Sequence, residues 1–209
     1  MSAYLSTLTS FEAKAETSLD LVDDNDQTLQ LDGVTRYKVR APDGFVIEVV
    51  SDRQSRQFIY DGKQLTVNSP NLGFYATVPA PPTIRKTLEA AYDKYGIQLP
   101  LEDLFRWADP ANKRSEDLTS GFVVGTATID GAETTQYAFR EGGTDWQIWI
   151  QKGDRPLPRK LVITNRLDPA RPTYSARISW NPNVPLADAD FAFKPGKDAK
   201  AIQLSTQSK

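Results

Sequence analysis

The chain has 209 residues, with 25 Lys and Arg against 27 Asp and Glu, and it contains no histidine and no cysteine. The absence of both residue types excludes disulfides, structural zinc sites, haem ligation, cysteine nucleophiles and every Ser-His-Asp triad. A formal charge of −2 and a pI near 5.3 argue against a nucleic-acid partner, which usually meets a dense basic surface. With 39% hydrophobic residues, the chain is long enough to fold around a sizeable core.

No segment has the length and apolarity of a membrane span. The longest uncharged run, Gln64 to Ile84, is broken by four prolines. Residues 1–4 are polar and lack the basic and then apolar regions of a secretory signal. The sequence alone therefore fits either a cytoplasmic protein or a processed form of an exported one.

The first part of the chain is typical of antiparallel strands joined by tight turns. A weak helical pattern formed by Met1, Leu5 and Leu8 comes first. Apolar and polar residues then alternate from Phe11 to Leu21, which is the two-residue period of a half-buried strand. Asp61-Gly62 lies between two short runs and predicts a hairpin. The strands predicted here are 11–21, 37–39, 45–49, 57–60, 64–68 and 73–78.

The period changes to that of a helix after a pair of prolines. Apolar residues recur at helical spacing from Ile84 to Tyr95, with Thr83 as a suitable N-cap and Gly96 as a suitable C-terminal residue. Pro100 is expected to open a second short helix. A helical insertion, acting as a lid, is therefore placed at roughly 82–108.

Strands return in the second half after a polar stretch. The predicted strands are Phe122–Ile129, Thr134–Arg140, Asp145–Gln151, Arg159–Arg166 and Tyr174–Trp180, with Phe191–Phe193 and Ala201–Leu204 as closing strands. Strands, a helical insertion and again strands suit a large antiparallel sheet with helices on one face. The best candidate for a boundary is 109–120, but the second half alone would leave strand edges and an apolar face uncovered. We therefore expect a single domain over residues 1–209.

Three groups of charged residues each allow a structural and a functional interpretation. The acidic run 23–26 has the composition of a calcium loop but lacks its glycine and distal glutamate, so a solvated turn is favoured. Lys63 follows a tight turn, which favours an exposed cation over a catalytic amine. Basic residues of the second half either form the outward polar face of a one-sided sheet, which is favoured, or meet an anionic head group or phosphate. They are Lys152, Arg155, Arg159, Lys160, Arg166, Arg171 and Arg177.

The run from Asp145 to Ile150 carries large apolar residues on both sides of one strand. Trp146, Ile148 and Ile150 face one way, and Trp149 faces the other. Such a strand is covered on both faces, or it exposes one of them to a ligand or partner. An ordinary two-layer core is favoured. The alternative is a partly empty apolar cavity of the kind that holds small lipophilic ligands.

Several short segments stand out together. They are Tyr60-Asp61-Gly62-Lys63, Tyr95-Gly96, Leu99-Pro100-Leu101, Asp103-Leu104, Val124-Gly125, Asp145 to Ile150, Pro156 to Thr164, Trp180-Asn181, and Phe191-Ala192-Phe193 with Pro195. Together they resemble a family of bacterial predicted periplasmic proteins, domain of unknown function 2092, over nearly the whole chain. Members of that family tend to have a histidine where Thr135-Gln136-Tyr137 stand here, so no role for that histidine carries over.

That family is similar to the lipoprotein localisation factors of the LolA and LolB type. The resemblance implies a mainly β fold with helices (α+β): an open, curved antiparallel half-barrel, LolA/LolB-like, with helices covering the concave face. It also implies a periplasmic location, with the signal peptide not part of this sequence. Relatives in the superfamily bind acyl chains of lipoproteins or other lipids in a concave apolar cavity.

Three functions stay open on this basis. The first is a non-enzymatic periplasmic carrier or sensor of a lipophilic ligand, with no catalytic residue, metal, cofactor or nucleic acid. The second is an envelope protein interaction or scaffold module with a closed core. The third, a carboxylate-dependent hydrolase, is disfavoured because no acid pair stands out. The residues expected to line the cavity are Phe45, Tyr92, Leu104, Phe105, Trp146, Ile148 and Trp180.

Overall fold

The computed structural model describes residues 1–102 and 118–206. Strands dominate the described residues. The helices of this described part are α1 (Ser2–Leu5), α2 (Ile84–Tyr95) and the 3-10 helices Pro70–Leu72 and Asp188–Phe191. The strands are β1 (Ser10–Val22), β2 (Thr28–Arg40), β3 (Gly44–Ser51), β4 (Ser55–Tyr60), β5 (Gln64–Ser69), β6 (Phe74–Pro79), β7 (Leu118–Ile129), β8 (Ala132–Glu141), β9 (Thr144–Gln151), β10 (Pro158–Asn165), β11 (Thr173–Pro182) and β12 (Lys200–Ala201).

These strands belong to a 12-stranded sheet in the order β12-β6-β5-β4-β3-β2-β1-β11-β10-β9-β8-β7. Neighbours from β3 to β6 and from β7 to β11 pair antiparallel, whereas β12 lies parallel to β6. The two N-terminal strands stand in the middle of this order. On one side β3 to β6 follow outward from β2, and on the other side β7 to β11 run from the far end back to β1. The mainly β class predicted from the alternation of residues is confirmed.

The predicted closing strands differ from what the structure shows. The segment at Phe191–Phe193 is no strand: a 3-10 helix ends at Phe191, whose ring is buried and lies so close to Gly44 that a Cβ there would come 3.0 Å from it. Both edges of β3 are already paired, so this segment has no free edge there and packs by its side chain instead. The last strand is limited to Lys200–Ala201.

The chain forms two compact units. Unit 1 comprises Met1–Thr7, Ala15–Gly33 and Trp107–Ser179, and unit 2 comprises Leu8–Lys14, Val34–Arg106 and Trp180–Lys209. Of these, 103–117 and 207–209 lie outside the described residues. The boundaries fall inside β1, β2 and β11, so each unit draws on three separate stretches of sequence. The single domain over residues 1–209 stays a prediction.

The sheet of unit 2 has an apolar face and a polar face. Phe45 and Tyr60 are directly opposite each other on β3 and β4, are fully buried, and have ring centroids 5.3 Å apart. On the other face, Gln57 donates to Glu48 over 2.7 Å, and Asn68 donates to Gln57 over 2.8 Å. This division satisfies the polar side chains beside water and leaves aromatic rings to form the core.

The helix predicted after the two prolines is present as α2. Thr83 is its N-cap, and its side chain accepts a hydrogen bond of 3.4 Å from the Lys86 N–H. Gly96 ends the helix in the left-handed conformation at φ 63°, where a residue without Cβ is favoured. The second predicted helix is described only at its start, where Leu101 lies in a turn at φ 50°, and 103–108 lie outside the described residues.

One side of α2 is tied to β4. Ile84, Thr87 and Ala91 are the buried residues of the helix, at the spacing of one helical face. Thr87 Oγ1 donates to the Pro81 carbonyl over 3.0 Å, and the Tyr60 hydroxyl donates to the same oxygen over 2.6 Å. Burial raises the pKa of Tyr60, which keeps its hydroxyl protonated as a donor. The shared acceptor links α2 to the end of β4.

Candidate functional site

A row of large apolar side chains crosses unit 1 from β11 to β8. In register, Tyr174 stands opposite Ile163, Ile163 opposite Trp146, and Trp146 opposite Phe139. The rings of Phe139 and Trp146 are stacked with centroids 4.3 Å apart. We call these four residues, Tyr174, Ile163, Trp146 and Phe139, the aromatic row. All four side chains are half-buried, so part of their apolar surface faces solvent.

The next row on the same face is packed. Ala176, Leu161 and Ile148 stand opposite one another on β11, β10 and β9 and are 1%, 1% and 2% exposed. Because side chains two residues apart on a strand share a face, this row lies beside the aromatic row. The face therefore changes from filled to partly open within one step along the strands.

Two leucines of β1 lie on the same face as the aromatic row. Asp20 accepts from both the backbone N–H and the hydroxyl of Thr173, at 3.1 and 2.5 Å, so it shares the face of Thr173. Tyr174 follows Thr173 and points to the other face, and Leu19 and Leu21 alternate with Asp20 in the same way. These leucines are 39% and 37% exposed, which extends the partly open apolar surface onto β1.

The opposite face of β9 is covered by polar side chains. Trp149 is 8% exposed, and the Lys160 ammonium lies 4.7 Å from the centre of its ring. Gln136 stands opposite Trp149 on β8 and donates to Gln147 over 2.8 Å. The second apolar face predicted for this strand is thus closed by long polar side chains, and the face of Trp146 is the one left partly open.

The seven residues predicted to line a cavity fall in different parts of the chain. Trp146 and Ile148 share one face of β9, as the alternation predicted. Trp146 is half-buried in the aromatic row, and Ile148 is buried in the packed row beside it. Leu104 and Phe105 lie outside the described residues. Sequence reasoning missed Phe139, Ile163 and Tyr174. The strand register places them in one row with Trp146, and no local motif points to them.

The other three predicted residues belong to unit 2. Phe45 is buried in the core of that unit, so it offers no free surface. Trp180 is half-buried, with its ring centroid 5.2 Å from that of Phe11. Tyr92 is 56% exposed on α2. The set of seven as a cavity lining stays a prediction.

Most of the basic residues singled out in the second half have partners. Arg177 pairs with Asp130 over 2.9 Å, and Lys152 pairs with Glu133. Arg159 donates to the side-chain oxygen of Gln151. Arg177 and Lys160 stand directly opposite each other in the row of Trp149, so these two lie on the polar face of the sheet, which is the favoured interpretation.

Three arginines surround Asp145 at the end of the β8–β9 hairpin. Arg140 holds it with two hydrogen bonds of 2.6 and 2.9 Å, and Arg171 and Arg166 approach to 3.3 and 3.6 Å. The hydrogen bond from Arg140 is the main cause of a lowered pKa for Asp145, and the same contact raises the pKa of Arg140. Sequence reasoning missed Arg140, although its place across the Gly142-Gly143 turn from Asp145 was a usable signal.

The acidic run after β1 forms a turn. Asp23 accepts from the backbone N–H groups of Gln27 and Asn25 over 2.8 and 2.9 Å, and these bonds lower its pKa. Within residues 1–102 and 118–206, no group of three or more acidic side chains is arranged to hold a metal ion. The two hydrogen bonds that Asp23 accepts support the turn.

Solved structures with a similar fold include two of related size. An uncharacterized conserved protein from Thermus thermophilus has a TM-score of 0.56 at 11% identity, over 96% of this chain and 95% of the other. The lipoprotein LppX from Mycobacterium tuberculosis has a TM-score of 0.52 at 16% identity, over 88% and 92%. At these identities the similarity concerns the fold alone.

A LolA superfamily protein from Nitrosomonas europaea is more distant, with a TM-score of 0.43 at 9% identity over 91% of this chain and 95% of the other. No curated protein matches the chain. Among the helices of the described residues, none is long and apolar enough to cross a membrane. The family resemblance found in the sequence is confirmed, since the chain belongs to the family described as predicted periplasmic protein (DUF2092), whose model matches residues 1–205.

Proposed function

We propose that this chain is a non-enzymatic periplasmic protein that binds or carries a lipophilic ligand, a lipid or the acyl chain of a lipoprotein, on the apolar face of unit 1. The observation that carries the proposal is the partly exposed aromatic row, continued by Leu19 and Leu21 beside a fully packed row. Contiguous exposed apolar surface is characteristic of ligand or partner sites. The periplasmic location expected from the sequence is that of the family.

The chemistry of this face suits an acyl chain. The stacked Phe139 and Trp146 rings offer a flat wall, and the leucines of β1 offer aliphatic contact. Each methylene that leaves water contributes about 0.8 kcal/mol, so a chain of about ten methylenes supplies several kcal/mol without a specific polar contact. Such a site selects by chain length and flexibility rather than by hydrogen bonding.

The placement of α2 is a separate part of the proposal. We place α2 over the apolar face of β3 and β4, on which Phe45 lies. The hydrogen bonds that Thr87 and Tyr60 both donate to Pro81 support this placement, because they fix one side of the helix toward that face. The role of the helical insertion at 82–108 as a lid stays a prediction.

The two carboxyls whose pKa shifts are resolved do not supply a general acid. A general acid requires a carboxyl whose pKa is raised, typically beside a second acid of lower pKa. The resolved shifts of Asp23 and Asp145 are both downward, and each comes from hydrogen-bond donors that stabilise the ionised form. Neither carboxyl is poised to donate a proton near neutral pH.

Two tryptophans on β9 give a matched test of this proposal. Trp146→Ala removes the wall of the apolar face, whereas Trp149→Ala changes the same residue type on the opposite face. We expect the unaltered protein to co-purify with lipid in native mass spectrometry and, once stripped, to melt several degrees higher with a saturating long-chain fatty acid or lipopeptide. Trp146→Ala should lose that gain in melting temperature. Trp149→Ala should keep the gain, although its melting temperature without ligand should be lower than that of the unaltered protein.

Equal loss of the gain in both variants, or no lipid and no gain in the unaltered protein, contradicts the proposal. A stoichiometric protein partner captured by cross-linking in intact cells, without bound lipid, favours the interaction module instead.

A further inference from the structure

Three arginines from different segments of unit 1 meet at one carboxylate. Arg140 lies on β8, Arg166 follows the end of β10, and Arg171 precedes β11. In the part of the chain that the structure describes, Asp145 is the only carboxylate in ion-pair contact with any of them. These contacts therefore join three positive charges to one negative charge. We call the three residues the arginine cluster.

The arginine cluster has hydrogen-bond donors to offer to a further anion. A guanidinium group carries five N–H groups. Arg140 directs Nε and Nη2 at Asp145, Arg171 directs Nη2 at the same carboxylate, and Arg166 donates from Nη1 to the Gly142 carbonyl over 3.2 Å. The three side chains are 46%, 58% and 33% exposed in that order. The contacts of the described residues thus leave N–H groups of each arginine open to an acceptor from solution.

The loop between β10 and β11 is held in a conformation that brings Arg171 to the carboxylate. Leu167 packs so closely on the β8–β9 turn that a Cβ on Gly143 would come 2.5 Å from its Cγ. Arg171 has a left-handed backbone at φ 51°, and its N–H donates to the Asp168 carbonyl over 2.9 Å. This conformation is costly for a residue with a side chain, and such residues occur preferentially at binding sites.

The arginine cluster lies at the rim of the sheet, just beyond the aromatic row. Arg140 and Asp145 stand opposite each other, one residue past Phe139 and Trp146 toward the hairpin turn, and they point to the other face. The turn begins two residues after Phe139, so the rim is about 7 Å from the aromatic row. A ligand that extends along the strands from the aromatic row reaches this rim, where long arginine side chains can meet its polar end.

We propose that the arginine cluster binds the phosphate, or a chemically similar anionic group, of a lipid whose chain lies on the aromatic row. This inference rests on the proposed function and deepens it by naming the head group. Guanidinium groups bind phosphate through paired, charge-assisted hydrogen bonds. A second anion beside Asp145 also neutralises charge that this carboxylate leaves unbalanced. The cluster therefore selects acidic lipids over neutral ones, which the apolar face by itself does not do.

Two lipids with the same chain test this inference on the unaltered protein, stripped of lipid. The probes are lauroyl lysophosphatidic acid and monolauroyl glycerol, both below their micelle-forming concentrations, and isothermal titration calorimetry measures their affinities. The phosphate-bearing lipid should bind about tenfold more tightly, which corresponds to about 1.4 kcal/mol. Inorganic phosphate alone should bind far more weakly, because it lacks the chain.

A double variant, Arg166→Gln with Arg171→Asn, removes two charges and keeps the hydrogen bonds between Arg140 and Asp145. Asparagine suits the left-handed backbone at position 171. The matched control is Arg177→Gln, at an exposed arginine that pairs with Asp130 on the same face of the sheet. The double variant should lose the preference for the phosphate-bearing lipid, and the control should keep it. Thermal melting without lipid checks that both are folded.

Equal affinities of the unaltered protein for the two lipids overturn the inference and leave the proposed function standing. A preference that survives the double variant, or one that Arg177→Gln abolishes, also overturns it. Inorganic phosphate that binds as tightly as the lysophosphatidic acid identifies a free anion as the ligand and overturns the assignment to a lipid. If neither lipid binds, the proposed function fails and this inference fails with it.

Discussion

Asp145 shows how one residue can organise the end of a hairpin. It lies across the turn from Arg140 and accepts two hydrogen bonds from it, and its side chain is only 26% exposed. Two further arginines approach the same carboxylate, so positive charge exceeds negative charge among these contacts. The ionised carboxylate offsets part of the repulsion among the three guanidinium groups that gather around it.

We therefore expect Asp145→Asn to destabilise the folded protein at neutral pH. The folded-state pKa of Asp145 lies below its ordinary value of 3.8, so its contribution is fully present above that pH and is lost as the pH falls through the folded-state pKa. Urea unfolding of both proteins at pH 7 and at a series of pH values below 3.8 checks this. The difference should be largest at pH 7 and should shrink steadily as the pH falls below 3.8. An equal difference at every pH would contradict the assignment, and Asp168→Asn, in the β10–β11 loop, serves as the control.

Among the elements, α2 depends on a carbonyl shared by two hydroxyls. The Pro81 oxygen accepts from Thr87 on the helix and from Tyr60 on β4, and the side chain of Thr87 is 1% exposed. At a buried position, no water is at hand to replace a hydrogen bond that is lost. The attachment of α2 to the strand is therefore sensitive to the hydroxyl group of Thr87 and not only to its apolar contacts.

Thr87→Val keeps the shape of the side chain and removes the donor. We expect a loss of about 1 kcal/mol in the free energy of unfolding, near the average for one hydrogen bond, because Tyr60 still satisfies the carbonyl. Thr87→Ser is the control: it keeps the hydroxyl and loses a methyl group. Chemical denaturation measures both. If Thr87→Val is as stable as the unaltered protein, the hydrogen bond does not hold the helix.

Local patterns were enough to predict most elements of this chain, because strands and caps depend on neighbouring residues. The alternation from Phe11 to Leu21 predicted β1, and Thr83 with Gly96 predicted the ends of α2. The closing strand at Phe191 was predicted wrongly. Whether such a short run pairs or packs depends on a free strand edge, and that is set by residues far away in the sequence.

At the scale of the whole molecule, the candidate site could be predicted only in part. Periodicity placed Trp146 and Ile148 on one face, which the structure shows. The aromatic row, however, is assembled across four strands, and its membership follows from strand order and register. A local pattern encodes neither the strand order nor the register. The predicted lining residues that fall in unit 2 were chosen by residue type alone.

The strand order also determines which parts of the chain can fold by themselves. Unit 1 needs residues 15–33 from the beginning of the chain, and Asp20 of β1 holds Thr173 of β11 in that unit. A fragment that begins at residue 118 lacks β1, so it leaves unpaired one edge of β11, the strand that carries Ala176 and Ile178, each 1% exposed in the folded chain.

We therefore predict that residues 118–206, produced alone, do not fold cooperatively, although they contain five of the long strands. Circular dichroism during heating and the dispersion of amide signals in an NMR spectrum measure this, with the chain 1–206 as the folded control. Adding residues 1–102 as a separate fragment should restore a cooperative transition, since that piece supplies β1 and β2. A sharp melting transition in the isolated second half would mean that the edge of β11 and its apolar side chains do not require β1, and that the chain has a domain boundary after all.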